Sequence, residues 1–179
     1  MKKLSLGILL ILFSLSFQKA FAQSASPAAN LPQVQYNLPY TGILPDNPLY
    51  FLKALRDNVL ALLITDPLKK ADYDLLMADK RLGGAEALLK KGKDDIAITT
   101  LSKSGNYFYQ AIQKAAAAKR QGENANEIVS KLITASMKHQ EVIFQMIQKA
   151  KGDTRENLGT LLSRTKNFQS NVEQLKSNQ

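Results

Sequence analysis

From residue 66 onward the apolar positions fall into one rhythm, alternating steps of three and four. Leu68, Ala71, Leu75, Ala78, Leu82, Ala85 and Leu89 set it, and Ala97, Leu101, Ser104, Phe108, Ala111, Ala115 and Ala118 repeat it. Leu132, Ala135, Ser136, His139, Val142, Ile143 and Met146 follow the same spacing, as do Leu158, Leu161, Thr165, Phe168, Val172 and Leu175. Such spacing puts one stripe of each segment on one helix face. Punctuation divides the pattern into helices. Asp66 precedes Pro67 as an N-cap before a first-turn proline, and Gly92, Gly122 and Gly152 stand where helices should stop. The expected helices are Asp66 to Gly92, Asp94 to Arg120, Ala125 to Lys151, and a last one opened by a capping box, Asp153 with Glu156. An earlier helix is expected from Asp46 or Asn47, with Pro48 at its first position and Leu49, Leu52, Leu55, Val59, Leu62 and Leu63 as its apolar stripe. Thr65-Asp66-Pro67 ends it.

Nothing in the pattern has the period of a strand. Long helices joined by short turns must run antiparallel, and a seven-residue repeat favours shallow bundle packing. A superhelical repeat protein would need shorter helices at a period near 34 residues, and none recurs. The expected fold is all-α, an antiparallel bundle of about five helices over residues 47–179.

Ahead of the helices the pattern changes. Pro27, Pro32, Pro39, Pro45 and Pro48 crowd into residues 27–48 and hold the chain extended. Between them stand Leu31, Val34, Tyr36, Leu38, Tyr40, Ile43 and Leu44, more apolar surface than a free linker carries. Residues 23–46 therefore form a proline-rich segment, of which 31–46 should lie along the bundle as a strap. Tyr40, Ile43 and Leu44 of the strap, Tyr50 of the first helix, and Tyr107 and Tyr109 of the third are the candidate strap or partner contacts.

Residues 1–22 read as a secretory leader. Lys2 and Lys3 precede an apolar core from Leu4 to Phe17, and Ala20-Phe21-Ala22 is a small-residue cleavage site. Its removal leaves 157 of the 179 residues, no transmembrane span, and an address outside the cytoplasm: periplasmic or secreted. Lys2, Lys3 and Lys19 leave with it, lowering the formal charge from +9 to +6. That balance suits an anionic wall polymer, a membrane surface or an envelope protein as partner, and an exported chain has little occasion to meet nucleic acid. With no cysteine in the chain, the exported fold must rest on packing alone.

The stretch Gly42 to Lys53, GILPDNPLYFLK, then Asp66 to Ala71, DPLKKA, and Ala78, Lys80, Arg81 and Leu82 resemble a family of exported bacterial helical proteins catalogued only as a domain of unknown function. KHQEVI, Lys138 to Ile143, fits the same resemblance. It implies an exported helical domain and carries no reaction, cofactor or substrate with it. Gly83-Gly84 departs from what a mid-helix position wants, at a cost of about 2 kcal/mol in helix propensity. The pair either admits a neighbouring helix at close range or bends its own.

Chemistry-bearing groups are few. His139, the single histidine, falls on the inward seam of its helix. It is either a pH-sensitive or metal-binding core position, or a neutral imidazole bonded to a tyrosine hydroxyl, a carboxylate or a backbone carbonyl. No second histidine or cysteine accompanies it, and Ser136 stands where a di-iron bundle would place glutamate. No cofactor is therefore expected, and His139 is the one candidate for a metal. Asp72, Asp74 and Asp79, interleaved with Lys69, Lys70, Lys80 and Arg81, read as a solvated, charge-balanced face. Asp94-Asp95 suits a helix start. Lys90, Lys91, Lys93, Lys114, Lys119 and Arg120 gather near helix ends. No nucleophile–base pair and no phosphate-cradling glycine loop is evident. The expected function is non-catalytic, a binding or structural role in the bacterial envelope, with a small-ligand or metal carrier centred on His139 as the alternative.

Overall fold

The computed structural model describes residues 33–177, so residues 1–32, on which the expected leader and the start of the expected strap fall, and the last two residues lie outside the described chain. Five helices follow an extended segment: α1 (Tyr50–Leu63), α2 (Pro67–Lys90), α3 (Asp94–Arg120), α4 (Asn126–Lys149) and α5 (Gly152–Ser177). No strand occurs among the described residues. The fold is the all-α bundle that the periodicity predicts.

Local chemistry places the boundaries. The Asp66 carboxylate accepts from the Lys69 amide at 2.8 Å, capping α2 ahead of Pro67. At its other end Gly92 takes a left-handed φ of 70°, and the Lys93 and Gly92 amides reach back to the carbonyls of Leu88 and Leu89. Gly122 closes α3 the same way, with φ of 82° and Glu123 bonding back to Ala118. Two expected caps differ. Asp46 does not open α1; it turns toward Lys91 and Lys93, and the Asn47 side chain instead accepts from the Leu49 amide at 2.9 Å just before the helix. Asp153 lies inside the first turn of α5, which begins at Gly152, and Thr154 beside it donates to Asp94 at 2.9 Å.

Helices α2 to α5 pack as two hairpins, α2 with α3 and α4 with α5. The hairpins join along α3–α5 and α2–α4, leaving α2 and α5 diagonal. Two apolar clusters fill the space between them. The larger holds Ala71, Leu75, Phe108, Ile128, Leu132, Phe168 and Val172, and the smaller Leu82, Leu101, Val142, Ile143, Met146 and Leu158. Where one cluster gives way to the other, the helices contribute buried polar residues: Asp79 from α2, Ser104 from α3, Ser136 and His139 from α4, and Thr165 from α5. Ser104 donates to the Ala78 carbonyl at 2.8 Å, and Thr165 and Ser136 bond within their own helices. Each hydroxyl is thereby satisfied without solvent.

Helix α1 stands apart. It has no extended packing against any other helix, and its stripe Leu49, Leu52, Leu55, Val59, Leu62 and Leu63 faces outward rather than into a core. The reason lies in what the strap covers and in which side chains of α1 have partners on the body.

Candidate functional site

The strap docks by alternation. Val34, Tyr36 and Leu38 turn toward the bundle, while Gln35 and Asn37 face solvent, the two-residue period of an extended chain. Tyr36 packs on the larger apolar cluster and Leu38 on the smaller, so the strap spans both. Its backbone is held too: the Glu141 carboxylate accepts from the Val34 amide at 2.9 Å, and also from Lys138 at 2.9 Å and Gln145 at 3.3 Å. Burial alone would raise the Glu141 pKa, but these donors outweigh it and hold the carboxyl below its ordinary value.

Beyond Pro39 the strap crosses α2 at Gly83-Gly84. A Cβ on Gly83 would stand 2.7 Å from Thr41 Cγ2, and one on Gly84 would meet Leu44 at 3.6 Å. Gly83 thus admits the strap, while Gly84 faces both the strap and the neighbouring helix α3, where a Cβ would meet Thr100 at 3.8 Å. Lys53 of α1 locks the crossing, its ammonium donating to the carbonyls of Thr41 at 2.6 Å and Ile43 at 3.1 Å around the left-handed Gly42. Asp46 completes the fastening on Lys93 and Lys91, which lower its pKa.

Under the strap lies a buried polar network. His139 Nε2 is 2.7 Å from Asp79 Oδ1, and the Tyr36 hydroxyl donates to Asp79 Oδ2 at 2.6 Å. Burial, reinforced by the Asp79 carboxylate, raises the Tyr36 pKa and keeps the phenol protonated. Phe108 meets the imidazole edge-on at 5.0 Å and stacks on Phe168 at 5.6 Å. This identifies the imidazole's partner as a carboxylate and corrects the reading of Asp72, Asp74 and Asp79 as one solvated face. Only Asp72 is exposed, paired with Lys131 at 2.6 Å; Asp74 and Asp79 are buried. Their neighbours Lys70, Lys80 and Arg81 suggested solvation, but the strap and α4 cover Asp79, while Asp74 is buried on a different side of α2, within reach of Lys114 of α3.

Asp74 is the odd member. It is 1% exposed, neither carboxylate oxygen has a hydrogen-bond partner, and Lys70 lies 3.4 Å from one of them. Burial raises its pKa, opposed by Lys70 and Lys114.

The predicted contact residues divide. Leu44 lies against Gly84, and the Arg81 guanidinium donates to the Tyr50 hydroxyl, sitting 5.9 Å from the Tyr50 ring and 5.1 Å from that of Tyr107. Tyr40 is 88% exposed and Ile43 is also exposed, so neither is a docking residue of the strap. Both sit beside the turn at Gly42, where the chain leaves the alternating register. Tyr109 leans on Phe168 of α5 at 6.3 Å rather than on the strap, because α3 presents that ring to the α5 side.

The face that sequence reasoning assigned to the core is the outer side of α1. Asp57 is buried, with Arg56 donating to it at 2.6 Å, and its backbone carbonyl accepts from the Tyr73 hydroxyl at 2.7 Å. Burial pushes the Tyr73 phenol up to about 12. Tyr50, Lys53 and Asp57 therefore define the inward side of α1. Ten positions from Leu49 to Leu63 are exposed, and eight are large and apolar: Leu49, Phe51, Leu52, Leu55, Val59, Leu60, Leu62 and Leu63. The amphipathicity is inverted. The missed signal was Lys53 and Asp57, four apart and opposite the leucines: the Lys53 ammonium reaches the strap carbonyls, and the Asp57 carboxylate is buried against the adjacent Arg56.

Cavities offer less. The space beside His139, lined by Leu101, Ser104, Ile143, Arg164 and Phe168 among others, amounts to about 10 Å³, the room of one water. A cleft of about 270 Å³ lies where the ends of α2, α3 and α4 meet, with Lys90, Lys149 and Lys151 facing Glu86 and Asp94. Among the described residues no three histidine, cysteine or carboxylate side chains converge as a metal site, and no helix is long and apolar enough to cross a membrane.

A family model described as a domain of unknown function (DUF5667) matches residues 42–178. The chain belongs to that family. The matched span begins at Gly42, the left-handed turn of the strap, and so takes in the glycine crossing, Lys53, α1 and the whole bundle. No curated protein and no solved structure matches the chain.

Proposed function

We propose that the protein is an exported, non-catalytic helical domain of the bacterial envelope that acts by binding, and that the outward face of α1 is its binding surface. The observation that carries this reading is the inverted amphipathicity of α1. Soluble proteins rarely leave a contiguous apolar patch of this size open to water unless something covers it. The rest of the molecule supports presentation rather than chemistry. The strap, clamped by Glu141, Asp79 and Lys53, fixes where α1 begins, and the α2 tyrosine at 73 fixes which side it shows. A pre-stiffened segment loses little entropy on docking, which suits a scaffold for a binding helix.

The carrier reading centred on His139 draws no support from the space beside that residue, which holds at most a water. Its imidazole also already engages Asp79. The leader at residues 1–22 supports the extracytoplasmic address, with the mature chain starting at Gln23.

A photo-crosslinking residue placed in turn at Leu55, Leu62 and the α5 residue Gln169 tests the reading in the producing cell. Adducts confined to the two α1 positions are expected, on protein whose N-terminal sequencing starts at Gln23. Equal or absent crosslinking at all three positions would remove α1 as the binding surface.

A further inference from the structure

The binding face of α1 has an internal order that narrows what covers it. We infer that its occupant is a second copy of this chain, α1 pairing antiparallel with α1 across a two-fold axis. This rests on the reading of α1 as an interaction surface and goes further by naming the partner.

Spacing is the first argument. Leu52, Leu55, Val59 and Leu62 are three, four and three residues apart and all exposed, the a/d seam of a helix pair. The seam is also nearly symmetric about its middle. Run antiparallel against itself, it sets Leu52 opposite Leu62 of the second copy and Leu55 opposite Val59 of the second copy. Leu49, Phe51, Leu60 and Leu63 flank it and thicken the contact.

Area is the second. The eight side chains are between 44% and 82% exposed; at ~150–200 Å² for a free large apolar side chain, they present roughly 800 Å², the per-partner half of a standard interface. Two copies thus supply what a stable dimer needs and leave little apolar surface uncovered.

Charge is the third, and it separates a second copy from an anionic surface. A helix that lies on lipid head groups carries lysines or arginines along the border of its apolar face. Arg56, the one cation among the ten exposed α1 positions, is already engaged by Asp57, and Lys53 faces inward on strap carbonyls. The face is therefore close to neutral, matched to its own copy rather than to a charged partner. Residues 23–32, QSASPAANLP, contain one large apolar side chain, Leu31, too little to cover the patch from within the mature chain.

The absence of cysteine makes the test direct. Protein recovered in its processed form is examined by sedimentation velocity from 1 to about 100 µM, as wild type, Leu55→Glu and Leu62→Lys. A concentration-dependent dimer is expected, weakened more than tenfold by Leu55→Glu and Leu62→Lys at unchanged helix content and melting temperature. An equimolar mixture of Leu55→Cys and Val59→Cys, whose thiols face each other in this register, should oxidise to a disulfide-linked dimer, whereas Val59→Cys mixed with a Gln169→Cys control should not. A dimer unaffected by both charge substitutions would overturn the proposal, because the contact would lie elsewhere. A wild-type monomer throughout the range overturns it too. If that monomer still gives α1-confined crosslinks to another protein, or co-sediments with anionic vesicles through α1, the surface reading survives with a different occupant. If it does neither, both readings fall together.

Discussion

Thr41 Cγ2 sits over the bare backbone of Gly83, so close that a Cβ there would stand 2.7 Å away. Gly83→Ala therefore sets two effects against each other. Alanine gains about 1 kcal/mol of helix propensity, while the clash displaces a β-branched side chain whose carbonyl Lys53 already holds. Overpacking of this kind costs about 1–3 kcal/mol, so the strap should lift and the melting temperature fall by several degrees. Thr41→Ser removes the offending methyl. The double variant should melt at or above the wild type, since the propensity gain remains. Failure of Thr41→Ser to rescue would mean that the glycine serves something other than the strap crossing.

The helices were legible in the sequence because their signals are local. Asp66-Pro67 caps α2 wherever the rest of the chain goes, and the three-four stripes of α2 to α5 point inward as the spacing implies. Where the reading failed, the deciding contact was distant. The same spacing in α1 marks an outward seam, because periodicity gives a face but not the side it turns to; Tyr73, Arg81 and the strap decide that from up to 31 positions away. Gly83-Gly84 announced a close approach without saying of what. His139 was legible as inward, yet its partner is 60 residues upstream, in a run whose lysines made Asp79 read as solvated.

The Asp79–His139 contact is expected to show the asymmetry of buried pairs. His139→Leu leaves Asp79 buried with Tyr36 as its remaining donor, and breaking such a pair costs about 3–5 kcal/mol. Replacing both, Asp79→Leu with His139→Leu, removes the stranded carboxylate as well and should recover most of that loss, at the expense of the Tyr36 hydroxyl. Chemical denaturation of the two single variants and the double one gives the coupling directly. Additive losses would show that the two side chains do not act as a pair.

Asp74 should be a site of stored instability. Its carboxylate is buried with neither oxygen hydrogen-bonded, and Lys70 stands 3.4 Å off. Because its folded pKa is raised, ionisation works against the fold as pH climbs past the unfolded value, and the loss is retained at neutrality. Asp74→Asn keeps the shape and removes the charge, so it should stabilise by about 1 kcal/mol at pH 7 and by progressively less toward pH 3. A destabilised Asp74→Asn would indicate that the Lys70 pairing outweighs the burial cost.

Acid should loosen the strap before it unfolds the bundle. Burial favours a neutral Glu141, but the Val34 amide, Lys138 and Gln145 prevail and lower its pKa in the folded state. A carboxyl with a depressed folded pKa contributes stability that is full above its unfolded value, near 4.5, and lost as pH falls through the folded one. Asp46, lowered by Lys93 and Lys91, acts in the same direction at the other end of the strap. Protection of the Val34 amide against hydrogen exchange, corrected for its intrinsic rate, should therefore be flat from pH 7 to about 5 and drop below it. Core amides such as that of Leu132 should hold over the same range. Glu141→Gln should flatten the Val34 profile while lowering its plateau. A Val34 amide that tracks the core amides at every pH would mean that strap and bundle open as one unit, and that Glu141 is not the latch.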